Sequence, residues 1–259
     1  MTSLRFLPLA LAALLAGCAG ATVAEIPVPV QESAAVAAES TPSPTPTADV
    51  RVDPAPDFDR NLYSIDDADS LWVVANKTRQ LQPKRYVPDD LVTLDVPHTY
   101  DPTLRRDAAK AYRTMFRAAS RDGKSLVLQS AYRSYSTQVT VYNGWVDRLG
   151  QAGADRQSAR PGYSEHQIGL SVDIAAGSRA CTIQECFANT PEGTWLTKNA
   201  WKYGWVLRYP KGKTDTTGYK YEPWHWRYVG TGLAEQIHLI GPKETLEEFW
   251  ELPAAPDYL

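Results

Sequence analysis

The sequence holds few histidines and cysteines and no excess of basic residues. Among 259 residues there are only four histidines and three cysteines. So few cysteines exclude a zinc module made of matched cysteine pairs. Charge of either sign is scarce in excess: 27 Lys and Arg stand against 30 Asp and Glu, a net −3. That balance offers no clustered basic face for nucleic acid and no strong global field to steer a partner. The apolar run Phe6 to Ala16 is too short to span a bilayer as a helix. No internal repeat is evident. What the chain does have is hydrophobic residues at 43%, with 8 Trp and 14 Tyr, ample for a packed core.

The N-terminus reads as an export signal, residues 1–17. Arg5 supplies the positive start, and the short apolar run follows. It ends in Leu15-Ala16-Gly17-Cys18, which resembles a bacterial lipoprotein cleavage box. Acylation at Cys18 would anchor the mature chain on a membrane, because several acyl chains hold where one does not. The expected location is therefore outside the cytoplasm, lipid-anchored and facing the periplasm or cell wall. An ordinary signal peptide with an incidental cysteine is the alternative. Cys181 and Cys186 remain; in an exported protein, two cysteines five apart most simply form one local disulfide.

Residues 18–57 are rich in Ala, Pro, Ser, Thr and Val, a composition that buries too little to fold. They read as a tether. The folded domain is expected over 58–259. Leu71–Ala75 is a strand candidate. Asp101-Pro102 reads as the opening of a helix with apolar residues at Leu104, Ala108, Ala111, Tyr112, Met115, Phe116 and Ala119, stopped by Gly123. Leu126–Leu128 reads as a buried strand. Ser136 caps a second helix to about Leu149, Ser171–Ile174 alternates like a strand, and Leu196–Tyr203 is a helix ended by Gly204. Trp205–Tyr209 and Trp224–Val229 are strands around a polar loop at 210–218, and Leu233–Ile240 is a last helix. Strands and helices alternate without βαβ spacing. The expected class is α+β, a single domain with a central antiparallel sheet flanked by helices.

Two of the four histidines sit among carboxylates. His166 precedes Asp173 by seven residues, and Glu222-Pro223-Trp224-His225 holds the second. Two imidazoles and a carboxylate can hold one catalytic zinc with an open position. A further carboxylate, Glu222, can accept a proton from the attacking water. Gly169 lets the chain turn so that His166 and Asp173 converge, and Pro223 breaks the strand alternation that would set Glu222 against His225. From spacing alone, hydrogen-bonded structural histidines stand equally well. His98 and His238 match no metal pattern. Trp145, Trp201 and Trp205 are expected in the core.

Ordered motifs carry the reading further. Ser164-Glu165-His166-Gln167-Ile168-Gly169-Leu170-Ser171-Val172-Asp173 resembles the S-x-H-x-x-G-x-x-x-D signature of the zinc D-alanyl-D-alanine carboxypeptidases of VanY type. This family is related to the wider group of lysostaphin-like, D-Ala-D-Ala-peptidase and Hedgehog-like folds. Glu222-Pro223-Trp224-His225 resembles its E-x-W-H box, and Gln129-Ser130-Ala131-Tyr132-Arg133-Ser134 its Q-S-x-Y-R-S stretch. Segments at Val74–Lys77, Tyr86–Leu91 and Trp195–Pro210 are also similar, so the resemblance runs from about Leu71 to Ile240. Ser171 stands where many members have Ala.

The resemblance implies one zinc per chain on His166, Asp173 and His225, with Glu222 as the base. It implies that Arg133 points at the reaction centre, to hold an oxyanion or a carboxylate. Ser164 would contact the substrate's terminal carboxylate, and Gln129 and Tyr132 would line the pocket. The expected activity is removal of the C-terminal D-alanine from peptidoglycan stem peptides, by a monomer. An L,D-carboxypeptidase on tetrapeptide stems, or a D-Ala-D-Ala dipeptidase, shares the same metal set. A non-catalytic cell-wall-binding lipoprotein is the reading from another class.

Overall fold

The computed structural model describes residues 58–259. The signal, Cys18 and the tether therefore lie outside the described residues. The described part is α+β, as the sequence implies. A small hairpin, β1 (Leu91–Thr93) with β2 (Thr103–Arg105), leads into α1 (Arg106–Arg121). Strand β3 (Leu126–Ser130) and α2 (Tyr135–Ala154) follow. Next come a 3-10 turn at Glu165–Ile168 and β4 (Ser171–Ala176). The second half holds α3 (Pro191–Asn199), β5 (Trp205–Leu207), α4 (Thr214–Thr217), β6 (His225–Tyr228), α5 (Thr231–Ile240) and α6 (Leu246–Phe249). The main sheet is antiparallel throughout, in the order β3-β4-β6-β5.

Helix α1 buries Ala108, Ala109, Tyr112, Met115, Ala118 and Ala119 against this sheet. Their spacing puts them on one face. Burying side chains the size of Tyr112 and Met115 stabilises by roughly 2–3 kcal/mol each. The helix starts later than the Asp101-Pro102 signal suggests, because Thr103–Arg105 pairs with Leu91–Thr93 first. Leu104 is fully buried, but as a strand residue. Gly123, at φ 70°, follows the helix end as expected.

Other expectations shift for similar reasons. Leu71 is partly buried and Trp72–Ala75 are buried, but the segment is not a strand. Side chains replace ladder partners there: Arg227 Nη2 donates to Leu71 O and Val73 O, and Arg79 Nε donates to Val74 O. Helix α2 is capped by Ser134 rather than Ser136, its hydroxyl accepting from Thr137 N. The regular part ends at Gly150, whose φ of 69° and ψ of 168° are not helical. The loop 210–218 contains the single turn α4, and Trp145 and Trp201 are only half-buried, whereas Trp205 is fully buried. The 205–209 strand stops at Leu207.

The chain's later residues fold back over its earlier ones. Lys77 is buried, donates from Nζ to Pro256 O, and lies over the rings of Tyr219 and Tyr258. Tyr258 in turn accepts from Arg160 N and packs edge-on against Tyr163, 5.1 Å between ring centroids.

Candidate metal centre

Sheet register assembles the site. Asp173 on β4 faces His225 on β6 directly and Ser130 on β3 on its other side. Directly opposite residues of an antiparallel pair share a face, so the carboxylate and the imidazole project together. His166 arrives from the 3-10 turn just before β4. That turn ends at Gly169, in the left-handed region at φ 73°, where a Cβ would also stand 3.0 Å from Arg105 Cγ. Only glycine adopts that backbone at little cost, and it reverses the chain so that His166 meets Asp173.

The three side chains are buried, and one donor atom from each lies within 4.8 Å of the others. His166 Nε2 is 3.2 Å from Asp173 Oδ2, and His225 Nδ1 is 3.0 Å from Asp173 Oδ1. The outer nitrogens are also held. His166 Nδ1 lies 2.7 Å from Ala131 O, and His225 Nε2 lies 3.3 Å from Glu165 Oε2. A carbonyl can only accept, so Nδ1 of His166 carries a proton and leaves Nε2 for an ion. Two imidazole nitrogens and one carboxylate, converging and outwardly supported, fit a zinc-type ion.

Charge follows from this packing. Burial opposes the ionised form of Asp173, but His166 and His225 hold it well below the usual carboxylate range. Burial also opposes a charged His225. Its hydrogen bonds to Asp173 and Glu165 outweigh that and push it up to about 9. Burial lowers His166, and the cation of Arg133 lowers it further. Glu222 precedes β6 in a turn closed by His225 N donating to Glu222 O at 3.0 Å. The strand thus begins after Pro223, as the proline implies. Burial drives Glu222 up to about 7; His225 pulls it down and Asp173 pushes it back up. A carboxylate tuned to neutral pH suits proton transfer.

Arg133 lies deep in the site. Burial lowers its pKa, while Asp173 and Glu222 attract its charge. Its Nε is buried without a hydrogen-bond partner, and Arg133 N donates to His166 O at 3.1 Å. Ser164, the residue before the 3-10 turn, is buried at 3% exposure. Gln129, on β3, accepts at Oε1 from Thr99 Oγ1 and Arg179 Nη1 at 2.8 and 2.9 Å. Tyr132 is half-buried, and burial raises its pKa. Cys181 and Cys186 are joined, S–S 2.06 Å. His98 is exposed and His238 stacks on Trp201 at 4.1 Å, both away from the cluster.

Sequence reasoning gave no role to Glu165, Arg208, Arg227 or Glu247. Glu165 Oε1 accepts from Arg208 Nε at 2.8 Å and Arg227 Nη1 at 3.0 Å. Arg208 also grips Glu247 through two bonds of 2.8 and 2.7 Å. The available signal was charged residues set inside apolar runs, as Arg227 is in Trp226-Arg227-Tyr228.

A mixed fold around an antiparallel sheet, with two imidazoles, an ionised carboxylate, a tuned glutamate and a partly buried arginine, has the groups of a hydrolase site. Residues 101–231 match the VanY family, D-alanyl-D-alanine carboxypeptidase, and the chain belongs to it. YodJ of Bacillus subtilis (strain 168) is 40% identical over 195 residues, covering 73% of this chain and 70% of that protein. The D-alanyl-D-alanine carboxypeptidase of Enterococcus faecium is 39% identical over 128 residues, 49% of this chain and 38% of that protein. Among solved structures, the LdcB LD-carboxypeptidase superposes with a TM-score of 0.66 at 40% identity, covering 71% of this chain and 87% of that one. The vancomycin resistance D,D-pentapeptidase VanY, a mutant in complex with Zn(II), gives 0.58 at 28% identity, covering 69% and 97%.

Proposed function

We propose that this chain is a zinc-dependent carboxypeptidase that removes the terminal D-alanine from peptidoglycan stem peptides. The observation that carries this reading is the convergence of His166, Asp173 and His225 within 4.8 Å beside Glu222. The three residues would hold one ion, which when bound polarises a carbonyl and makes a water more acidic. Glu222 takes a proton from the water as its oxygen attacks the scissile carbonyl carbon. It then returns the proton to the amine as the C–N bond breaks. Arg133, charged and with an unpartnered Nε, stabilises the developing oxyanion or holds the substrate carboxylate. Ser164 contacts that carboxylate, and Gln129, with its oxygen engaged, offers its amide N–H groups to the pocket. Tyr132 lines the same wall.

The likeness to LdcB favours a second reading, an L,D-carboxypeptidase acting on tetrapeptide stems. A dipeptidase shares the site as well. Localisation belongs to the proposal too: export, and anchoring through Cys18 on a membrane facing the cell wall. The deciding experiment has two parts. Glu222→Ala is assayed for D-alanine release with its zinc content measured; activity retained at full zinc content would overturn the mechanism. Defined tri-, tetra- and pentapeptide stems are then supplied and the released residue identified. Loss of D-alanine from pentapeptide alone supports the D,D reading, and loss from tetrapeptide alone the L,D one.

A further inference from the structure

Four charged side chains lie behind His225 with no exposure to solvent: Glu165, Arg208, Arg227 and Glu247. They form one chain of contacts. His225 Nε2 meets Glu165 Oε2 at 3.3 Å, and Ser171 Oγ donates to the same oxygen at 3.1 Å. Glu165 Oε1 takes Arg208 and Arg227. Arg208 passes to Glu247 on α6, which also accepts from Asn76 Nδ2 at 3.0 Å. Arg227 is pinned at its far side by Leu71 O and Val73 O. Two cations balance two carboxylates.

Such a buried group is expensive to desolvate, and well-packed apolar residues usually serve stability as well or better. Its retention against a single imidazole edge therefore asks for another explanation. A histidine that binds metal through one nitrogen usually donates the other to a carboxylate or carbonyl, which fixes its tautomer and ring orientation. His166 has Ala131 O for this purpose. His225 has Glu165.

We infer that Glu165 is a positioning residue that holds Nε2–H of His225 so that Nδ1 faces the metal, with Arg208, Arg227 and Glu247 fixing Glu165 in place. This rests on the metal reading of His166, Asp173 and His225. It extends the machinery to Asn76 and Glu247, both outside the 101–231 segment that matches the family.

The test uses the full chain as wild type, Glu165→Gln, Glu165→Asp and His225→Ala. Zinc dissociation constants are measured by competition with a chromogenic chelator, alongside denaturant unfolding of the metal-free proteins. In zinc-loaded wild type, long-range proton–nitrogen correlations of the imidazoles read the tautomers directly. The expected result is a proton on Nε2 of His225 and on Nδ1 of His166. Glu165→Gln should weaken zinc by about 10- to 100-fold, and Glu165→Asp, which keeps the charge, should recover part of that. A proton on Nδ1 of loaded His225, or wild-type zinc affinity in folded Glu165→Gln, overturns the inference. Should Glu165→Gln not fold, the wild-type tautomer decides alone. Undiminished zinc binding in His225→Ala would instead sink the metal reading itself. Zinc lost there but kept in Glu165→Gln sinks only the role of Glu165.

Discussion

Asp173 and His225 stand directly opposite each other on adjacent antiparallel strands, with Oδ1 of one 3.0 Å from Nδ1 of the other. The nitrogen that would receive an ion is thus the one that shares a proton with the aspartate in the metal-free protein.

Metal uptake should therefore release a proton. Metal-free His225 is held protonated up to about 9, and an imidazole ligand must be neutral. Zinc affinity is expected to rise with pH and level off above about 9. Calorimetry at pH 7 in buffers of different ionisation enthalpy should show about one proton released per ion from this residue. Binding enthalpy that does not change with the buffer would contradict it.

Glu222 should cost the metal-free fold stability at alkaline pH. Its carboxyl is raised from 4.5 to about 7 by burial. The folded state then binds more protons than the unfolded state across that window, so stability falls as pH rises through it. Glu222→Gln in the metal-free protein is expected to be about 3 kcal/mol more stable than wild type at pH 8 and close to it at pH 4. The same variant is expected to lose roughly 10²–10⁴-fold in kcat. Denaturant unfolding at the two pH values, with a turnover assay, checks both.

Asp155 should act with the opposite sign. Burial opposes its charge, but hydrogen bonds from Arg160 and Tyr142 hold its pKa below the usual carboxylate value. Arg160 binds it with Nε at 3.0 Å and Nη2 at 2.9 Å. That stability is present above the ordinary pKa near 3.8 and is lost as pH falls through the lowered folded value. Asp155→Asn should cost about 1 kcal/mol at pH 7 and progressively less on acidification below pH 3.8. An equal loss at pH 2 and pH 7 would refute it.

The disulfide should govern the pocket wall, not the metal. Arg179, two residues before Cys181, donates to Gln129 Oε1 and to Thr99 Oγ1. The Cys181→Ser, Cys186→Ser double variant is expected to lose about 2 kcal/mol of stability. It should also show a raised KM for stem peptides with zinc content unchanged. Loss of zinc would show the loop to be part of the metal centre.

Much of the architecture was legible because periodicity and punctuation report local geometry. Gly123, Gly169 and Gly204 all take positive φ where the pattern placed turns. The cluster of His166, Asp173 and His225 was legible as motif, and β4–β6 register supplies its physical cause. What stayed hidden was non-local. Leu71–Ala75 has the composition of a strand, but its carbonyls are taken by Arg227 and Arg79 from elsewhere in the chain. The β1–β2 hairpin is three residues a side, too short to leave a pattern. Glu247 lies 39 residues from the arginine it grips, and no spacing rule connects them.

Glu247 holding Arg208 also sets an order of events during synthesis. A nascent chain that has just emerged through Tyr228 already contains both histidines and the aspartate. It still lacks Glu247, the outermost carboxylate of the group behind them. Arg208 can grip its second carboxylate only once α6 has been made, so the complete brace behind the imidazole on β6 belongs to the finished domain and not to its growing precursor.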